Sequence, residues 1–381
     1  MLEKNLQERL ELYQQNNLYR YRQQHGHDKS IISFCSNDYL GLTTHPDVIA
    51  AFQKAADKYG VGSGASCLIT GYQSAHQECE EAFADFLNRD RALLFSNGYM
   101  ANLGIMQALI KSQDIIYQDK LNHASLIDAG LASKAKLYRF KHKNYEYLEK
   151  LLAAQENTNK SHKFIITDSV FSMDGDLANL PELIKISQKN QAVLIIDDAH
   201  GIGVLGKTGR GIAEHFSISQ QNIDVLSCPL GKAFGCFGAI VSGSETIIES
   251  LIQFSRSYIY TTGLPPAVAV AAKASLEIIK TEPWRRERLF QLINYFKLGA
   301  IERGLVFQPS DSPIQAFIVG SAEKTIQLSQ LLLAQKLFVY AIRPPTVLPN
   351  TSRLRITLNC NHQEADIDKL LDCLRAAYDK I

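Results

Sequence analysis

Short β-rich runs alternate with helical stretches from residue 92 to residue 243, and this alternation narrows the possible folds more than any other feature of the chain. The runs are ALLFS (92–96), DIIYQ (114–118), KFIITDS (163–169), AVLIIDD (192–198), DVLSC (224–228) and GAIVSG (238–243). Apolar β-branched runs separated by helices read as βα units, so the expected class is α/β with a mainly parallel sheet. In open sheets of this kind, ligands gather beyond the carboxyl ends of the strands. That rule selects Ser96–Tyr99, Asp168–Ser172, Asp197–His200 and Cys228–Lys232 as one expected site.

The flanks read differently. Residues 1–25 suggest one amphipathic helix with Leu6, Leu10, Tyr13 and Leu18 on its apolar side. A strand-like IISFCS and a helix over 47–59 follow, then a glycine-serine stretch, GVGSGASCLITG (60–71). The next helix opens with Ser74-x-x-Gln77, a capping-box pattern. Beyond Trp284 and the charged TEPWRRERL, the runs PIQAFIVG, LFVYAIRPPTV and RLRITLN suggest a smaller α+β domain. With 381 residues, the chain is expected to divide into an N-terminal helix and arm (1–45), a large domain (46–280) and a small domain (281–381).

Composition excludes several functions. A formal net charge of +1 offers no global field for nucleic acid. No run approaches the roughly 18 apolar residues of a membrane span, and the charged N-terminus lacks the apolar core of a signal peptide. None of the seven cysteines forms a CxxC pair, so neither a metal cluster nor a disulfide framework is expected. The expected location is the cytoplasm.

Gly201-Ile-Gly203-Val-Leu-Gly206 fits the GxGxxG pattern of dinucleotide sites, with Asp224 18 residues further on. Its context argues against that use. Polar DDAH separates the strand from the first glycine, and Gly209 and Gly211 fall where the phosphate-facing helix should run.

Other residues point to different chemistry. Asp197 ends an apolar run and His200 follows three residues later. Singly these read as a cap and a satisfied histidine. Together, a carboxylate at a buried strand end can hold a pyridinium nitrogen protonated, and an imidazole can bond a phenolic oxygen. Lys232 lies in LGKAFG, where small and apolar neighbours would desolvate it into a Schiff-base nucleophile. Asn97-Gly98-Tyr99 precedes a helix whose first amides could take a phosphate, or form a plain capped turn. His123, in LNHAS, could stack on a cofactor ring or serve only structure.

Taken together the chain resembles the α-oxoamine synthases among the fold-type I enzymes that use pyridoxal 5′-phosphate (PLP). The matching segments are SNDYLGL (36–42), GSGAS (62–66), LNHASLIDAG (121–130), VFSMDGDLANL (170–180), DDAHGIGVLG (197–206), LGKAFG (230–235) and YTTGLPP (260–266). They cover nearly the whole chain in the family's order. The resemblance implies a PLP-dependent transferase fold and a homodimer with its sites between subunits. It implies that Lys232 carries the cofactor and moves the substrate α-proton, while Asp197 holds the ring nitrogen. His200 and Ser172 would contact the phenolic oxygen, His123 would stack on the ring, and Gly98 and Tyr99 would lie near the phosphate. Arg20, with Thr357 nearby, would reach the acyl chain's carboxylate, and Arg355 would hold the amino-acid carboxylate.

Phe171–Asp176 and AIRPPTV (341–347) resemble the member that condenses L-alanine with a pimeloyl thioester, on CoA or an acyl carrier protein. Sister reactions use glycine with acetyl-CoA or succinyl-CoA, or serine with a long acyl-CoA. Two departures stand out: Pro229 replaces the family's usual phosphate-binding threonine, and Asn97 replaces a serine. Proline has neither hydroxyl nor N–H to offer. Pro229 is also the only sequence support for a non-catalytic PLP-binding protein, and the GxGxxG glycines are the only support for an NAD-linked oxidoreductase.

Overall fold

A computed structural model describes residues 1–22, 24, 28, 30–155 and 161–381. Two compact units emerge. One comprises Asn37–Ser172 with Leu177–Glu287; the other joins Met1–Ser36, Met173–Asp176 and Arg288–Ile381.

The larger unit is built on a seven-stranded sheet. In space its strands run Arg91–Phe95, Ala239–Gly243, Val225–Pro229, Ala192–Asp197, Lys163–Asp168, Ile115–Asp119 and Lys136–Phe140. Ala239–Gly243 pairs antiparallel with both neighbours, and every other pairing is parallel. The exception has a simple cause. Only residues 230–238 separate Val225–Pro229 from Ala239–Gly243, too few for the crossover that a parallel pair requires. The chain must double back, and Lys232 sits in that short return. Lys136–Phe140 is a strand that the sequence does not announce. Its residues KLYRF place two basic side chains among three apolar or aromatic ones on an edge strand, so no continuous apolar run marks it.

The central strands are buried on both faces. Ile116, Ile166, Ile195, Val225 and Val241 join one core with Ile105 and Leu126 of the covering helices. Each such side chain contributes about 1.5–3 kcal/mol on leaving water.

The helix Ser74–Leu87 begins as expected, but its capping box is shifted by one residue. Gln73 is the N-cap and His76 returns the bond, its Nδ1 accepting from the Gln73 amide at 3.0 Å. The expected helix over 1–25 stops at Gln15, and Asn17 adopts a left-handed φ of 56°. Of the remainder of that stretch, residues 23 and 25 lie outside the described residues. Leu6 and Leu10 are exposed, so within this chain no core rewards a longer helix.

In the smaller unit Tyr340–Ile342, Ser352–Thr357 and Ile314–Gly320 form an antiparallel sheet with Ser352–Thr357 in the middle. Met173–Asp176 is tied to this unit by an Arg353–Asp174 ion pair and by the Ser310 hydroxyl, which donates to the Gly175 carbonyl at 2.9 Å. No helix among the described residues is long and apolar enough to cross a membrane, and all seven cysteines are free.

Candidate active site

Parallel strands Lys163–Asp168 and Ala192–Asp197 end in register, with Asp168 beside Asp197. Both carboxyls are buried, at 4% and 3% exposure. Asp197 is held by neutral donors. Its Oδ2 accepts from Asn102 Nδ2 at 2.6 Å, and its Oδ1 accepts from the Ala199 amide at 3.0 Å. Asn102 comes from the helix Gly98–Leu109 and also donates to the Ser125 hydroxyl at 2.9 Å. Asp168 accepts from the His123 amide at 2.7 Å. Burial pushes the Asp168 carboxyl well above the usual carboxylate range, and the neighbouring Asp197 adds to the shift.

His123 caps the helix Ala124–Ala132: its Nδ1 accepts from the Ser125 amide at 3.2 Å. A ring nitrogen that accepts carries no proton, so the imidazole presents Nε2–H. Burial lowers the His123 pKa and the Lys232 charge lowers it further, against Asp197 and Asp128, so the neutral ring is favoured. His200 is buried, and its Nδ1 lies 2.7 Å from the Tyr39 hydroxyl.

Gly98 and Tyr99 are the first two residues of the helix Gly98–Leu109, whose N-cap Asn97 accepts from the Met100 amide at 3.0 Å. The amides of Gly98 and Tyr99 have no acceptor one turn back within the helix. Position 98 must be glycine because a Cβ there would stand 2.6 Å from Pro229 Cγ. Tyr99 donates its hydroxyl to Asp128.

These elements enclose a cavity of about 160 Å³ lined by Gly98, Tyr99, His123, Ser172, Asp197, His200 and Lys232, with Asp168 and Pro229 also on its wall. Seven of the expected site residues therefore meet here, six from the segments that the strand-end rule selects and His123 from outside them. Arg20, Arg355 and Thr357 belong to the smaller unit. There Arg20 donates to the Thr346 hydroxyl at 3.3 Å. Arg343 donates to the carbonyls of Asn17 and Tyr19. Thus the segment around Arg20 and the AIRPPTV segment meet. Arg355 and Thr357 lie buried in the middle strand.

Sequence reasoning does not single out Tyr39, Asn102 or Asp168 as individual site residues. Asn102 left one signal, an amide among apolar residues in the first half of the helical stretch YMANLGIMQAL, where Gln107 is the other amide. Tyr39 sits in SNDYLGL without marking itself out.

The glycine-rich segment 201–211 is no dinucleotide cradle. Its hollows are filled by the chain's own carboxyls: a Cβ on Gly201 would stand 2.0 Å from Asp198 Oδ1, and one on Gly206 2.3 Å from Glu214 Oε2. The NAD reading loses its only support.

The cavity suits PLP. A buried carboxylate that accepts from an asparagine amide and a backbone amide can take a cationic ring nitrogen, a lysine stands in the same cavity, and a helix N-terminus supplies amides for a phosphate.

Comparison with known proteins agrees. Residues 29–374 match aminotransferase class I and II, and the chain belongs to that family. One relative is the 8-amino-7-oxononanoate synthase of Thioalkalivibrio sulfidiphilus, 52% identical over 346 residues, or 91% of this chain and 88% of the relative. Among solved structures, the 8-amino-7-oxononanoate synthase of Francisella tularensis matches with a TM-score of 0.81 and 37% identity, over 93% of this chain and all of that one. A structure described as SPT with a PLP internal aldimine matches with a TM-score of 0.88 and 32% identity, over 92% and 88% of the two chains.

Proposed function

We propose that this chain is a PLP-dependent acyltransferase that condenses L-alanine with a pimeloyl thioester, releasing carbon dioxide and the free thiol to form 8-amino-7-oxononanoate for biotin synthesis. The observation that carries the reading is the convergence of Lys232, Asp197, His200 and His123 on one cavity, in a chain 52% identical to a synthase of that name.

PLP, when bound, supplies an electron sink for the amino acid's Cα. Asp197 faces the ring nitrogen and keeps its proton in place, and Asn102 holds that carboxylate. Lys232 Nζ would anchor the cofactor and would serve as the base for the alanine Cα proton. His200 and Ser172 hold the phenolic oxygen. His123, neutral, stacks on the ring. The amides of Gly98 and Tyr99 take the phosphate, and Pro229 contributes no donor. Arg355 grips the alanine carboxylate with its planar fork. Arg20 takes the far carboxylate of the acyl chain, with Thr357 and the observed neighbour Thr346 as candidate hydroxyl partners.

A homodimer completes this reading. It is supported by exposed Val61, Ile69 and Tyr260, which lie on two segments tied by the Gly263 amide donating to the Ala65 carbonyl at 2.9 Å.

The test is carbon dioxide release from L-alanine with pimeloyl-CoA, or with the pimeloyl carrier protein, by the PLP-loaded enzyme. Turnover with alanine, abolished in Lys232→Ala, is expected. Turnover with glycine or serine in place of alanine would move the assignment to a sister reaction.

A further inference from the structure

Asp198 is fully buried directly after Asp197. Its amide donates to the Ser227 carbonyl at 2.8 Å, and its own carbonyl accepts from Gly201 at 3.1 Å and Ile202 at 2.9 Å. Its Oδ2 accepts from the Ile212 amide at 3.0 Å. Two glycines press on the carboxyl group: a Cβ would stand 2.0 Å from Oδ1 at Gly201 and 1.8 Å from Oδ2 at Gly211, where φ is 86°.

Between these contacts the segment closes on itself. The Gly203 amide donates to the Gly209 carbonyl at 2.8 Å, and the Gly211 amide donates to Leu205 at 3.0 Å. Its far side meets the lysine turn. A Cβ on Gly203 would stand 2.9 Å from Ala233 Cβ and 3.4 Å from the Phe234 ring, and the Gly235 amide donates to the Lys232 carbonyl at 2.9 Å.

Segment 201–211 therefore touches both halves of the chemistry. Both ends are anchored on the carboxyl beside Asp197, and the stretch near Gly203 lies against the two residues after Lys232. We propose that Asp198 and this glycine-rich segment form a bracket that sets Lys232 at its working position relative to Asp197 and His200, with Asp198 as the positioning residue. The glycines serve as contact surfaces, since any side chain at 201, 203 or 211 would push one half away from the other. The proposal rests on the PLP reading above but not on which amino acid or thioester is used.

The test separates lysine placement from cofactor binding. PLP is added to each purified variant, bound PLP is counted after gel filtration, and the covalent link to Lys232 is trapped with borohydride and quantified by mass spectrometry. Thermal unfolding of each variant is recorded alongside. Asp198→Asn keeps an oxygen to accept from Ile212 and is expected to trap PLP per bound molecule as the wild type does. Asp198→Ala and Gly203→Ala are expected to trap about tenfold less per bound molecule, since a displacement of an ångström is enough to spoil an attack geometry. If Asp198→Ala does not fold, Asp198→Ser takes its place. Wild-type trapping per bound PLP in folded Gly203→Ala and in the folded Asp198 variant would overturn the bracket. A wild-type chain that binds no PLP would instead overturn the proposed function itself.

Discussion

The Tyr39 hydroxyl lies 2.7 Å from Nδ1 of His200, with both side chains buried. When Tyr39 donates, His200 keeps its proton on Nε2, from which it could donate to a cofactor oxygen. The same hydroxyl lies 3.2 Å from Asn37 Oδ1, so the SNDYLGL segment steers a histidine 161 residues away.

Tyr39→Phe removes that partner while keeping the ring's packing. The expected result is kcat lowered by about 10- to 100-fold, a shifted absorbance spectrum of the PLP-loaded protein, and stability lowered by about 1–3 kcal/mol from the hydrogen bond that the buried imidazole loses. Steady-state assays and a denaturant titration check both. An unchanged spectrum and kcat would remove Tyr39 from the site's machinery.

Asn102→Ala takes a 2.6 Å donor from Asp197. Asp197 then turns more freely, and PLP affinity is expected to fall by about tenfold. Asn102→Asp is expected to be worse, because a further carboxyl would crowd a region already holding Asp168, Asp197 and Asp198. Equilibrium titration of the apo-protein with PLP measures both variants.

Arg20→Ala should raise KM for the pimeloyl thioester by about 100-fold and leave KM for alanine near its starting value, consistent with loss of a charge-assisted bond of about 3 kcal/mol. Equal changes in the two constants would contradict the acyl-tail role.

Stability should depend on pH through Glu80. Its carboxylate accepts from Tyr72 at 2.7 Å and from the Leu94 amide at 2.8 Å. Burial nevertheless pushes its pKa from 4.5 up to about 7. The folded chain thus keeps a proton that the unfolded chain gives up earlier. This contribution to stability is full below about pH 4.5 and is lost as pH climbs through about 7. Asp198, pushed from 3.8 to about 7, acts in the same direction. The apo-protein Tm should therefore fall between pH 5 and pH 8. Glu80→Gln, neutral throughout, should flatten part of that fall, and an unaltered slope would show that Glu80 does not titrate there.

Much of the site is legible in the sequence because it follows from chain order. A strand of apolar β-branched residues must end somewhere, and in a parallel α/β sheet its carboxyl end faces the ligand crevice. Asp197, His200, Gly98, Tyr99 and Lys232 all stand at such ends or just beyond them. The helix over 46–59 and six of the seven large-sheet strands are equally plain, because local periodicity alone marks them.

What periodicity could not show was decided by contacts between residues far apart in the chain. The edge strand Lys136–Phe140 forms only because its neighbour offers a ladder, and the N-terminal helix stops at Gln15 without a core to extend it. Asn102 reaches Asp197 across 95 positions. The glycines at 201, 203 and 211 look like a phosphate loop in sequence. Only the folded chain shows that Asp198, Ala233 and Phe234 already occupy the space those glycines leave. A sequence records which residues are small, but what fills the space beside them depends on where the rest of the chain packs.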